Sequence, residues 1–262
     1  MELYDKLQYC KSFFEEYIAS FEVKDPGHVK NFAIKKGHSY RVVEIIEYIS
    51  RKLGVDEEGL ILASLIALLH DIGRFPQLVK YNTFNDDASV DHARLSVEVI
   101  KEQGLLDKLD EKLAETVYTA IRLHNKFELP DKMEESHEFF SKLIRDADKI
   151  DILKVIIDYY ENKNRVPNHT LTWELPVGEG ISEKVAKAAI NGELVSKELV
   201  KTQNDIKVMQ MSWVYDLNFK PSFQLISEKR YIDKIYNTLP KRDDVIEIYR
   251  SIKIYLENQF MK

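Results

Sequence analysis

The stretch LIALLHDIGRF, residues 65–75, decides how the rest of the sequence is interpreted. It belongs to the most apolar run of the chain, GLILASLIALL at 59–69, and continues into His70 and Asp71. A helix that is apolar nearly all round is expected at the centre of a helical bundle, buried on every side. Because buried polar groups without partners are costly, His70 and Asp71 need partners there, and a metal ion would serve both.

The remaining sequence predicts helices around this central one. Apolar residues recur at spacings of three and four, and only 9 Gly and 7 Pro interrupt them in 262 residues, which favours an all-α fold. Two segments without this periodicity, 75–91 and 162–180, are predicted to be long loops. The predicted helices cover residues 2–22, 39–53, 57–70, 90–103, 108–124, 134–161, 183–190, 193–217, 221–237 and 242–260.

Chain length and the absence of a flexible linker predict one all-α domain over residues 1–262. No internal repeat or flexible linker rich in Gly and Ser divides the chain, and its length is sufficient for one large core. A core at about 30–165 is expected to be followed by a C-terminal helical extension at about 166–262. The aromatic stretch at 212–219, SWVYDLNF, is expected to be part of the hydrophobic core.

Composition limits the possible partners and compartments. A net charge of -6 argues against a nucleic-acid duplex, whose binding depends on clustered Lys and Arg. The single cysteine, Cys10, excludes an intrachain disulfide, and the charged start does not resemble a signal peptide. No window reaches the roughly 18 to 20 consecutive apolar residues of a membrane span. These features predict a cytoplasmic protein without a membrane partner, and none of them indicates an oligomeric state.

Four of the seven histidines lie at predicted helix ends or starts, and two aspartates complete an ordered set. The order along the chain is H, HD, H, H, D, with gaps of 32, 21, 32 and 24 residues. Gaps of this length exclude a local metal clip, so packed helices must bring the ligands together. The six candidate ligands are His38, His70, Asp71, His92, His124 and Asp148.

These residue types indicate which metals the site could hold. Imidazole and carboxylate ligands suit Fe, Mn, Zn, Co or Ni, and the absence of a cysteine ligand disfavours a thiolate zinc site. Six ligands are too many for one tetrahedral ion but fit two ions that share a carboxylate. The adjacency of His70 and Asp71 suggests that Asp71 is shared. The sequence therefore predicts two divalent transition-metal ions, with Fe or Mn favoured.

The set resembles the HD-domain superfamily of metal-dependent phosphohydrolases over roughly residues 30–165. The superfamily's defining order of H, then HD, then a distant D is matched here within HSYRV, LLHDIGRF and DADKID. The resemblance implies a multi-helix bundle, with the residues after it as additional helices. The two further histidines resemble the two-metal form. One ion would then take His38, His70, Asp71 and Asp148, and the other Asp71, His92 and His124.

The residues that follow the fourth histidine, His124, differ from those of some members of the superfamily. The cyclic-dinucleotide phosphodiesterases carry a Gly-Tyr-Pro signature, whereas NKFELP follows His124 here. AIRLHNKF is more similar to the diadenosine tetraphosphate hydrolases. The resemblance implies hydrolysis of a phosphomonoester or phosphodiester by a hydroxide that bridges the two ions. The implied substrate is a small molecule such as a nucleotide. The alternatives are a di-iron oxygenase of the same superfamily and a non-catalytic nucleotide-binding module.

The resemblance also suggests which side chains act beside the metals. Asp71 is the predicted bridging ligand, while Arg74 and Lys149 are predicted to hold the phosphate. Arg122 and Arg145 form a second tier of candidates for that role. No function is predicted for the remaining histidines, which are His28, His137 and His169.

Overall fold

A computed structural model describes residues 2–162, 173 and 175–261 of the chain. The described residues form helices joined by turns and short connections, with no β-strand among them, so the predicted all-α fold is confirmed. The chain divides into two compact units, residues 1–148 and 149–262. The boundary falls inside one long helix, and the single domain over 1–262 stays a prediction.

The first unit is built around its third helix. α3 packs against α1, α2 and α6, which makes it the central element. A short 3-10 helix, Asp86–Ala88, lies between α4 and α5. The α-helices that begin in this unit are α1 (Leu3–Ala19), α2 (Pro26–Leu53), α3 (Glu57–Leu69), α4 (Arg74–Tyr81), α5 (His92–Glu102), α6 (Glu111–Leu123) and α7 (Glu135–Glu161).

Local chemistry fixes where α3 begins and ends. The Asp56 side chain caps its start by accepting from the Gly59 N–H, and two glutamates follow in the first turn, where the helix dipole favours negative charge. Residues 62–70 are all buried, as expected for a helix that is apolar on every face. The helix ends at Leu69, so His70 and Asp71 follow it directly.

The apolar stretch Glu57–Tyr81, which includes α3 and α4, is long and apolar enough to cross a membrane by length and composition alone. Its most apolar window has a mean hydropathy of 1.4, and 72% of that window is buried inside the structure. A core helix has the same properties, and the packing of α3 accounts for its composition. The absence of a membrane partner stays a prediction.

Among the residues of the second unit that the structure describes, five further α-helices follow the end of α7. A buried carboxylate, Asp205, accepts hydrogen bonds from the Ser182 N–H and hydroxyl and from the N–H groups of Lys201 and Thr202. It thereby joins the start of α8 to the start of α9. The helices are α8 (Glu183–Ile190), α9 (Gln203–Ser212), α10 (Lys220–Glu228), α11 (Tyr231–Asn237) and α12 (Asp243–Met261), with 3-10 helices at Lys197–Leu199 and Trp213–Asp216.

Several helix boundaries differ from the predicted ones. α2 begins at Pro26 instead of residue 39, because Asp25 caps it and proline is favoured in the first turn. The predicted helix 193–217 begins only at Gln203, where Thr202 and Asp205 form a capping box. The predicted helix 221–237 is broken at Arg230, whose φ of 55° is left-handed.

The two predicted loops have different outcomes. Residues 75–91 are not one loop, because most of α4 and a 3-10 helix lie within them. The helix α4 has only 8 residues, and Pro76 fits its first turn, where a missing N–H needs no partner. Within 162–180, residues 163–172 and 174 lie outside the described residues, and so does His169.

Candidate metal centre

Five elements of the first unit carry the six predicted ligands, which we call the HD cluster. His38 lies within α2, His70 and Asp71 in the turn after α3, and His92 at the start of α5. His124 follows α6, and Asp148 lies within α7. The four histidines and Asp71 are at most 4% exposed, and the Asp148 side chain is 15% exposed. The fold therefore brings all six residues together, as the sequence predicts.

The first half of the cluster surrounds one oxygen of Asp71. Asp71 Oδ2 lies 3.6 Å from His38 Nε2 and 3.7 Å from His70 Nε2. Asp148 Oδ1 approaches the same two nitrogens, at 3.0 Å from His38 Nε2 and 3.7 Å from His70 Nε2. These four side chains form a pocket of nitrogen and oxygen donors.

The second half of the cluster surrounds the other oxygen of Asp71. Asp71 Oδ1 lies 3.4 Å from His92 Nε2 and 3.9 Å from His124 Nε2. The two imidazole Nε2 atoms are 3.0 Å apart. Each oxygen of Asp71 therefore faces a different pair of histidines, which is the arrangement that a carboxylate shared by two ions requires.

Hydrogen bonds fix the orientation of three imidazoles. Each Nδ1 lies beside an oxygen that can only accept, so Nδ1 carries the proton and Nε2 turns its lone pair toward the cluster. Partners of this kind are typical of histidines that bind metals. The acceptors are Ala67 O for His70 at 2.7 Å, Ile121 O for His124 at 2.7 Å and Asp86 Oδ2 for His92 at 2.5 Å.

These orientations create a local surplus of electron pairs. The unprotonated Nε2 atoms of His92 and His124 face each other at 3.0 Å, and neither can donate to the other. Two lone pairs at that distance repel unless a cation lies between them. Within the HD cluster, three sets of donor atoms lie within 4.8 Å of one another, namely His38, His70 and Asp71; His70, His124 and Asp148; and Asp71, His92 and His124. The donor chemistry thus fits divalent metal ions.

The protonation states also suit metal binding. Burial and the neighbouring imidazoles lower the pKa of His124 to about 3, so this side chain is neutral at pH 7. Burial likewise lowers the pKa of His92. Burial alone would raise the pKa of the Asp71 carboxyl, yet nearby positive charges, chiefly Lys35, hold that pKa well below its usual range. Neutral imidazoles and an ionised carboxylate are the forms that bind metals.

Comparison with known families identifies this arrangement. Residues 36–162 match the family model described as HD domain, and all six residues of the HD cluster lie in the matched range. The chain carries an HD domain. The superfamily of this domain consists mostly of metal-dependent hydrolases. Comparison with curated proteins and with solved structures gave no significant match.

Asp86 is a residue of this HD domain that the sequence did not single out. It orients His92 by accepting from Nδ1 and is itself held by Arg74 Nη1 at 2.8 Å and Gln77 Nε2 at 2.9 Å. Burial would raise the pKa of its carboxyl, but the hydrogen bond from His92 and the charge of Arg74 lower it. Its position six residues before His92, in an apparently irregular segment, gave no periodic signal.

We expect Asp86→Ala to weaken the ion held by His92 and His124 by about 10- to 100-fold, as is typical when the hydrogen-bond partner of a metal-binding histidine is removed. Titration of metal-free protein with Mn²⁺, followed by calorimetry, measures this change. Asp87→Ala is the matched control, because Asp87 is exposed on the same 3-10 helix. Equal affinities for the Asp86 variant and the wild type would contradict the orienting role.

Arg74, a predicted phosphate ligand, lies at the cluster but is strongly engaged by the protein. Its Nη1 donates to Gln77 Oε1 at 2.9 Å, to Phe84 O at 2.6 Å and to Asp86 Oδ1 at 2.8 Å. Its Nε lies 3.5 Å from Asp71 Oδ1. These contacts favour a role in positioning Asp86 and Asp71, and the phosphate contact of Arg74 stays a prediction.

The other predicted cations have different surroundings. Lys149 Nζ lies 2.6 Å from Asp216 Oδ2 within the second unit, and its phosphate role also stays a prediction. Arg122 has a side chain that is 45% exposed, near Glu115 on the surface. Arg145 is buried and donates to four carbonyl oxygens at the end of α6 and just after it; these contacts favour a structural role, and its phosphate contact stays a prediction. These carbonyls belong to Leu123, His124, Lys126 and Phe127.

Lys35 is the second residue at the cluster that the sequence did not single out. It lies on α2, three residues before His38, and its Nζ donates to Asp71 Oδ2 at 2.7 Å. A lysine one helical turn from a candidate ligand was the available signal, since residues three apart share a helix face. Lysines are common on helices, however, and the pattern alone did not distinguish this one from its neighbour Lys36.

Proposed function

We propose that this protein is a metal-dependent phosphohydrolase that acts on a phosphomonoester or phosphodiester, with a small nucleotide as the favoured substrate. The observation that carries the proposal is the placement of Asp71, whose two oxygens face separate pairs of histidines. A carboxylate in that position can be shared by two ions. Two Fe or Mn ions are the favoured occupants, because the donors are nitrogen and oxygen atoms without a thiolate.

The side chains of the cluster can support this reaction without large changes of their own. When bound, two divalent ions supply a nucleophile from water near neutral pH and neutralise charge that develops on the phosphoryl oxygens. The protein holds the imidazole Nε2 atoms of His70, His92 and His124 in fixed directions. Such preorganisation lowers the cost of rearranging donors during the reaction.

The charge at the centre supports an anionic substrate. Three carboxylates, Asp71, Asp86 and Asp148, are accompanied by two cationic side chains, Lys35 and Arg74. Two divalent ions would convert this small negative excess into a positive one. A phosphorylated substrate would compensate that charge in a largely buried site, whereas a neutral substrate would leave it uncompensated.

The test is hydrolysis by protein loaded with Fe or Mn and kept strictly free of oxygen. We expect release of inorganic phosphate or a nucleoside monophosphate from at least one member of a panel of nucleotides, monoesters and diesters. Consumption of oxygen, with no phosphate released under anaerobic conditions, would contradict the proposal and favour the di-iron oxygenase. Tight nucleotide binding without turnover in the two-metal protein would instead indicate a binding module.

A further inference from the structure

Lys35 lies where a substrate would meet the metal centre. Its side chain is 18% exposed, whereas that of Asp71, with which it pairs, is 4% exposed. The acceptor of its hydrogen bond, Asp71 Oδ2, is also the oxygen that faces His38 and His70. Lys35 therefore borders the first half of the HD cluster from its more accessible side.

The two cationic side chains at the centre differ in how the protein engages them. Arg74 Nη1 has three protein acceptors, from Gln77, Phe84 and Asp86. The ammonium of Lys35 can donate three hydrogen bonds, and in the part of the chain that the structure describes its acceptor is Asp71 Oδ2. Lys35 consequently retains donors for a ligand, whereas the fold uses Nη1 of Arg74 and leaves its buried Nε without a hydrogen-bond acceptor among the described residues.

Metal binding would change the surroundings of Lys35. If Asp71 held two ions, its carboxylate would compensate the charge of Lys35 less. The ring of Phe84 has its centroid 5.8 Å from Lys35 Nζ and 5.8 Å from the Arg74 guanidinium carbon, so it helps to hold both cations in place. An ammonium held at the edge of a positively charged centre is stabilised by an incoming anion.

From this placement we propose that Lys35 binds the phosphoryl group of the substrate, by donating to a non-bridging oxygen beside the metal centre. This inference rests on the proposed phosphohydrolase function. It assigns to Lys35 the phosphate contact that the sequence pattern suggested for Arg74 and Lys149. The ammonium acts here by its charge and its N–H donors, since Lys is a point-charge phosphate binder.

The experiment measures binding of inorganic phosphate to Mn-loaded protein by calorimetry, together with metal content and, for an identified substrate, KM and kcat. We expect Lys35→Ala to weaken phosphate binding by about 10- to 100-fold, the usual effect of losing a charged hydrogen bond, with metal content retained. Lys35→Arg should recover part of the affinity. Lys36→Ala is the matched control, because Lys36 pairs with Glu15 and its side chain is 40% exposed.

The outcomes separate this inference from the proposed function. Phosphate binding by Lys35→Ala equal to that of the wild type would overturn the role of Lys35 alone. Loss of metal together with phosphate in Lys35→Ala, with no recovery in Lys35→Arg, would also overturn it, by showing that Lys35 only positions Asp71. A metal-loaded wild type that neither binds phosphate nor hydrolyses any phosphoester would overturn the function itself.

Discussion

Asp71→Ala is expected to abolish binding of both metal ions and to lower kcat/KM by about 1000-fold or more. Each oxygen of Asp71 faces a separate pair of imidazoles, so one substitution removes a donor from both halves of the cluster. His92, by contrast, lies in the second half of the cluster, beside Asp71 Oδ1 and His124 Nε2. We therefore expect His92→Ala to lose mainly the ion on its own side, whereas Asp71→Ala loses both.

Elemental analysis of protein purified without chelator measures this prediction as ions per chain. Asp71→Asn serves as a second variant, since it keeps the volume and one oxygen while removing the charge, and Asp87→Ala is the control for a loss of charge at an exposed site. Thermal unfolding with and without a chelator should show metal stabilisation in the wild type and in Asp87→Ala only. Two ions per chain in Asp71→Ala would refute the shared-ligand assignment.

The sequence was informative about the cluster because its residues are rare and ordered. Histidines are few in this chain, and an apolar helix that ends in His70 and Asp71 must bury both. The same reasoning placed α3 within one residue of its observed end. Composition and spacing could not supply the distances, which depend on how α2, α5, α6 and α7 pack around the turn after α3.

The residues that support the cluster were harder to predict for a physical reason. Asp86 and Lys35 are charged residues of a kind found throughout the chain, and only tertiary packing distinguishes them from exposed neighbours such as Asp87 and Lys36. The start of α2 was also missed, although Asp25 and Pro26 form a recognisable helix start. Gly27 and Gly37 interrupt the apolar period of that segment, which obscured the helix in the sequence. In the structure the helix nevertheless forms, with Asp25 as its cap.

Gly73 shows how one small residue connects the HD turn to the rest of the site. A Cβ at this position would lie 2.5 Å from Ser96 N and 2.7 Å from His92 O. Both are backbone atoms of α5, which cannot rotate away as a side chain could. The Gly73 N–H also donates to Ser96 Oγ at 2.9 Å. The turn that follows Asp71 thus packs directly on the helix that begins with His92.

Gly73→Ala is therefore expected to lower the free energy of unfolding by about 3 kcal/mol, the upper part of the usual range for overpacking, because backbone must move. The displacement of α5 should also shift His92 away from Asp71 and weaken the second ion. Urea unfolding of the metal-free proteins measures the stability, and Mn²⁺ titration measures the affinity.

Gly37→Ala tests whether the effect of Gly73 arises from close packing instead of from losing any glycine. A Cβ at Gly37 would meet only the end of a flexible side chain, Arg41 Nη1 at 3.0 Å, in the interior of α2. Alanine is the better helix former by roughly 0.5–1 kcal/mol, so this variant should be as stable as the wild type or more stable. The two substitutions are chemically identical and close to ligands of the same cluster, yet their expected effects have opposite signs. A Gly73→Ala protein as stable as Gly37→Ala would show that α5 can withdraw from the HD turn without cost, and the tight coupling between that turn and His92 would have to be abandoned.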